Sequence, residues 1–146
     1  MTTLVLIAHG SRDPRHAATV DALVHEIRAQ RPELAVATAY LDHCAPRVAQ
    51  VAGALADRPA VAVPLLLNRA FHAKHDIPAA LRAAGLRTTG ADAELPVADV
   101  LGPDPLLLAA LDRRLAQAGP DLASRAARAA TGVVLAGARP SPPGRI

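Results

Sequence analysis

Four of the six histidines sit in three short segments that also carry acids and bases. The first is Ala8-His9-Gly10-Ser11-Arg12-Asp13-Pro14 and the second is Leu41-Asp42-His43-Cys44. The third runs Asn68-Arg69-Ala70-Phe71-His72-Ala73-Lys74-His75-Asp76-Ile77-Pro78. Neutral imidazole accepts a proton near pH 7 and ligates divalent metals. Two imidazoles from different segments, joined by a carboxylate from a third, make a site for Fe²⁺, Co²⁺, Ni²⁺ or Zn²⁺. Each segment alone also has a plain reading. A loop histidine is commonly a surface or hydrogen-bonded residue, and His72-x-x-His75 is an unspecific spacing at a helix start. Asp76 fits a helix cap as well as a ligand. Arg12 and Arg69 suit an anion, or simply cover helix surface. Convergence of the segments at one place is what would turn them into a site.

The elements between the segments predict that convergence. Leu4-Val5-Leu6-Ile7-Ala8 is a continuous apolar run, as expected of a strand buried on both faces. Pro14 to Gln30 follows, with Val20, Leu23, Val24 and Ile27 on a stripe of helical period. Further strands are expected at Leu34–Tyr40, Val61–Leu67 (interrupted by Pro64), Leu95–Leu101 and Thr131–Ala136. Helices are expected at Pro46–Ala56, Ile77–Ala84, Pro105–Ala118 and Asp121–Ala130. Pro14, Pro46, Pro78, Pro105 and Pro120 all stand where a helix should open, a position that loses no helical hydrogen bond to proline. Asp13 and Asp104 precede two of them as N-caps, and Gly85 and Gly119 stop helices. Such alternation predicts an α/β fold: a three-layer, open, mostly parallel sheet of four to five strands with helices on both faces. In such sheets ligands bind beyond the carboxyl ends of the strands, and all three segments leave strands at that edge.

Composition narrows the partners. The chain has 146 residues and is 51% apolar, enough for one packed domain. No apolar run approaches the roughly 20 residues of a membrane span. The first residues carry no basic region, so no secretory leader is expected, and the expected compartment is the cytoplasm. Cys44 is the sole cysteine, which excludes a disulfide framework or a thiolate zinc cage. The pI is about 10.0, yet net charge is only +3 and the arginines are dispersed. With only Tyr40 and Phe71 as aromatics, nucleic-acid binding is not expected. Dispersed arginines suit a small ligand with several carboxylates.

Residues 8–14 followed by Pro64-Leu65-Leu66-Leu67 and His72-Ala73-Lys74-His75-Asp76-Ile77-Pro78 resemble the class II tetrapyrrole chelatases. The resemblance is to the branch acting on sirohydrochlorin, the cobalt and iron chelatases of cobalamin and siroheme synthesis. It runs from about Leu4 to Leu115, and Leu101-Gly102-Pro103-Asp104 matches a further family segment. The resemblance implies insertion of Co²⁺ or Fe²⁺, with Ni²⁺ also admitted, into sirohydrochlorin, with no organic cofactor. It assigns catalysis and metal binding to His9 and His72, with Asp42 in the place of a usual glutamate as a third metal contributor. Ser11, Arg12, Arg69 and Lys74 are then candidates for holding the macrocycle's eight carboxylates. Ala70 departs from the family's usual glycine before the aromatic-histidine pair. The short form of the family implies a homodimer.

Two other classes stay open on the residues alone. Histidine phosphoryl transfer needs an arginine directly before the histidine, and Ala8 occupies that position. A metal or tetrapyrrole carrier, or a degenerate half-domain, would use the same residues without turnover. At the far end, Thr131-Gly132-Val133-Val134-Leu135-Ala136 echoes the opening strand and is followed by a proline-rich tail. This reads either as a chelatase-like domain over 1–130 with an incomplete second repeat at 131–146, or as a chance apolar strand and a disordered tail.

Overall fold

The computed structural model describes residues 2–55, 58–67, 75–88, 94–119, 124–132 and 134. The chain divides into two compact units, Met1–Leu101 and Gly102–Ile146. The first unit contains β1 (Thr3–Ala8), α1 (Pro14–Gln30), β2 (Ala35–Tyr40), α2 (Val48–Leu55), β3 (Ala60–Pro64) and α3 (Ile77–Ala83). The second contains α4 (Pro105–Ala118) and α5 (Arg125–Ala129).

The three strands form a parallel sheet in the order β2-β1-β3. Pleating sends alternate residues of β1 to opposite faces. Val5 and Ile7 join Val48, Val51 and Leu55 of α2 and Ile77 and Leu81 of α3 in one core. Leu6 packs with Val24 of α1 and Val36, and Ala8 with Val20 and Tyr40, on the other face. Helices therefore cover both faces, and β1 is buried at every residue but the half-buried Leu4, as expected of its unbroken apolar run. Fully burying a side chain such as Ile7, Ile77 or Leu81 contributes about 1.5–3 kcal/mol each. The starts of α1 and α4 are locally encoded. Asp13 accepts the Arg15 backbone N–H at 3.0 Å with Pro14 at the first helical position, and Asp104 does the same for Leu106 at 2.8 Å with Pro105.

The α/β architecture holds, but the expected strand count does not: the described residues contain three strands. Leu95–Leu101 runs beside β3 without forming one. The Ala62 N–H donates to Pro96 O at 2.8 Å and the Ala98 N–H to Ala62 O at 2.8 Å, a single bridge, and beyond it one isolated bond runs from the Leu101 N–H to Leu66 O at 2.9 Å. The next ladder bond toward that side would come from the backbone nitrogen of Pro64, which has no hydrogen to give. The Val100 N–H turns instead to the Asp99 side chain at 2.8 Å. Of the expected fifth strand, Thr131, Gly132 and Val134 are described and none is in a strand; the rest of it and the tail lie outside the described residues.

With this order, β1 connects outward to β2, and β2 returns past it to β3. The connection reverses between β1 and β3, where open α/β sheets bind ligands. Among the described residues no helix is long and apolar enough to cross a membrane.

Candidate functional site

His9 is the first residue beyond β1, at the carboxyl edge of the central strand. The β1–β2 ladder continues past the strands and carries the two loops side by side. The Leu41 N–H donates to Ala8 O at 3.0 Å, and the Asp42 N–H donates to His9 O at 2.8 Å. Gly10 then makes the closest approach. It is buried with φ +92°, and a Cβ there would fall 1.7 Å from the Asp42 carbonyl oxygen. Only glycine lets the two loops touch at this point. The contact is closed from the other side by the Cys44 thiol, whose Sγ donates to Ser11 O at 3.2 Å.

The second loop is held by its own charges. Asp42 Oδ1 accepts the His43 backbone N–H at 2.8 Å and Arg47 Nη2 at 3.0 Å, while Arg47 Nη1 donates to Leu41 O at 2.6 Å. These hydrogen bonds, the backbone one from His43 first and then the Arg47 guanidinium, hold the Asp42 carboxyl below its ordinary value of 3.8. Asp42 is thus an anion at the mouth of the sheet. His43 has φ +60°, which few non-glycine residues adopt. Its Nε2 stands 3.5 Å from Asp42 Oδ2, and its ring centroid is 6.5 Å from that of His9, with the planes tilted by 42°. The Nδ1 of His9 lies 3.2 Å from Gly10 O.

The structure brings His9, Ser11 and Asp42 of the sequence-predicted set to one edge. Ser11 Oγ accepts the Asp13 N–H at 3.1 Å, which ties the loop to the start of α1. Arg12 is exposed. Arg69, His72 and Lys74, together with Ala70, lie outside the described residues. Among the described residues no group of three or more His, Cys, Asp or Glu is arranged to hold a metal ion. Sequence reasoning did not single out His43 or Arg47. Arg47 opens a helix and bonds back five residues, and a left-handed histidine leaves no pattern in a sequence. His16, on α1, is half-buried: its ring lies 6.1 Å from that of Tyr40, and its Nδ1 is buried with no hydrogen-bond partner among the described residues. His25, also on α1, is exposed. A groove of about 420 Å³ along β2, between α1 and α2, is lined by Asp21, His25, Arg28 and Gln50 among others and contains none of the predicted site residues.

A family model for CbiX matches residues 3–118. The chain belongs to the CbiX family. The match spans β1 to α4 and bears out the chelatase resemblance read from Leu4 to Leu115. A CbiX protein from Marinobacter aquaeolei VT8, assigned to cobalamin (vitamin B12) biosynthesis, superposes with a TM-score of 0.59. The match covers 80% of this chain and 96% of that one at 22% identity, a likeness of fold alone. A second CbiX, described as the terminal enzyme for biosynthesis of siroheme in denitrifying bacteria, has a TM-score of 0.57 and 29% identity. There the match covers 82% of this chain and 48% of the other, so this chain spans about half the length of that enzyme. No curated protein matches the chain.

Proposed function

We propose that this CbiX family member inserts a divalent metal, Co²⁺ or Fe²⁺ with Ni²⁺ also admitted, into sirohydrochlorin. The observation that carries the reading is the position of His9. It stands at the carboxyl end of the central strand, beside the strand-reversal crevice, in a chain whose residues 3–118 match CbiX. Insertion exchanges two pyrrole N–H protons for one M²⁺ ion, so a base with a pKa near neutrality must stand over the ring. Neutral imidazole meets that need and also binds the ion. His9 takes this role on one side of the crevice, and His72, on the segment leaving β3, takes it on the other. Asp42 supplies negative charge that draws the dication and helps to hold it. Arg12, Arg69 and Lys74 grip the carboxylates at the rim of the macrocycle, and Ser11 still has its hydroxyl proton to donate to one of them. A second copy of the chain in a cytoplasmic homodimer would wall in the open side of so large a ligand.

The test mixes the full chain with sirohydrochlorin and Co²⁺ or Fe²⁺ and follows the ring's absorption. Insertion faster than in the protein-free control supports the reading. Tight binding of the ring with no acceleration would replace it with a carrier.

A further inference from the structure

We propose that the groove along β2 binds a short free peptide of about three residues, extended antiparallel to the strand and held by its two charged ends. The site lies on the outer edge of the sheet and is independent of the chelatase reading. Three observations support it.

The first is the open edge. Among the described residues β2 pairs with β1 on one side and with no strand on the other. In a parallel ladder alternate residues turn both backbone groups to the same side. The Leu41 N–H donates inward to Ala8 O at 3.0 Å, whereas the Tyr40 N–H donates outward to Pro46 O at 2.9 Å. Val36 O also faces outward, and Arg28 Nη2 donates to it at 2.9 Å. Thr38 lies midway between these two with the same parity, so its N–H and C=O face the groove that it lines. Neither has a partner there among the described residues. Such groups are a template for an added strand.

The second is the length of the opening. One residue of an antiparallel peptide, using its own N–H and C=O, satisfies both groups of Thr38. The next ladder positions are already taken. A guanidinium N–H of Arg28 stands where the peptide's following N–H would come, and Pro46 O stands where its preceding C=O would. Room remains for one residue on either side of the paired one. A second copy of β2, six residues long, does not fit between these stops.

The third is charge. Val20 of α1 packs with Tyr40, and Val24 with Val36, so α1 runs antiparallel to β2. Asp21 therefore lines the groove toward its Tyr40 end and Arg28 toward its Val36 end. Seven helical positions separate them, a rise of about 10.5 Å. Three extended residues span about 10 Å. An antiparallel tripeptide brings its ammonium to Asp21 and its carboxylate to Arg28, and a parallel one would reverse both pairings. The half-buried Arg28 guanidinium bonds only a neutral carbonyl, and neither it nor Asp21 has an ion-pair partner among the described residues. The groove's volume of about 420 Å³ accommodates three small residues.

The probe is trialanine, titrated into the full chain by isothermal calorimetry. Saturable binding is expected. N-acetyl-trialanine and trialanine amide, each lacking one terminal charge, should bind about tenfold more weakly or worse. Dialanine should also bind more weakly, and tetraalanine no more tightly than trialanine. Asp21→Asn should weaken trialanine about tenfold yet leave the affinity for the acetylated peptide unchanged. Arg28→Gln should behave in the same way toward trialanine and the amide. A purely structural role for either residue would weaken every peptide alike, and that result overturns the inference. So does a titration with no saturable heat, or one in which the blocked peptides match trialanine. A solution mass that falls as trialanine is added would show a second copy seated in the groove, and the inference falls with it.

Discussion

Ile7 in β1 and His9 just beyond its end are two residues apart, yet they belong to different environments. Ile7 is fully buried in the core between the sheet, α2 and α3, where close packing of aliphatic groups is the only requirement. His9 opens the rim, where a positive-φ glycine, a left-handed histidine and a paired carboxylate are held together by hydrogen bonds. The core is made of interchangeable bulk. The rim depends on single atoms. Substitutions should therefore separate cleanly: core changes should alter stability at nearly constant function, and rim changes should do the reverse.

The largest effect is expected at Gly10. In Gly10→Ala a methyl would occupy the position of the Asp42 carbonyl, forcing the two loops apart. A displacement of about 1 Å at reacting groups costs on the order of 10²-fold. Ring insertion and Co²⁺ affinity should both fall by about that factor, measured on folded protein. An unaffected Gly10→Ala would erase the distinction between rim and core. Next comes Leu81→Ala, at 1% exposure on α3. It should cost about 2–5 kcal/mol by urea denaturation. Insertion by the folded fraction should stay within about threefold, since Leu81 sits in the aliphatic core rather than among the hydrogen-bonded groups of the rim.

Arg47→Ala tests the rim from outside. Arg47 bonds Leu41 O and Asp42 Oδ1 while remaining exposed. Co²⁺ affinity should drop up to about tenfold, the lower end of what outer-shell partners contribute, at an unchanged denaturation midpoint. The smallest effect is a matter of charge. The Arg15 side chain and backbone hold the Asp13 carboxyl below its ordinary 3.8. A depressed carboxyl adds stability above its unfolded value and loses it as pH falls through the folded one. Asn caps helices as well as Asp, so Asp13→Asn isolates the charge. The stability gap between wild type and Asp13→Asn should be constant above about pH 5 and close as pH falls below 3.8. A gap that widens in acid would contradict the assignment.

Much of the core was legible in the sequence, because period and punctuation are local signals. The bounds Pro14–Gln30 and Pro105–Ala118 coincide with α1 and α4, since each has an aspartate cap and a proline at its start. The strand expected at Leu95–Leu101 failed for a non-local reason. Its apolar pattern is sound, but its partner presents Pro64 where a donor is needed. At the rim the histidine-bearing loops could be read as converging on one sheet edge, and His9 and Asp42 do meet there. The left-handed backbone of His43 and the close approach of Gly10 to Asp42, 32 positions away, could not be read, because neither leaves a local pattern in the sequence.

The most direct measurement is the initial rate of Co²⁺ insertion into sirohydrochlorin by wild type, His9→Ala and His72→Ala, each against a protein-free control. Acceleration by wild type that disappears in both variants, with folding intact, is the predicted result. Near-normal rates in both variants would contradict the account.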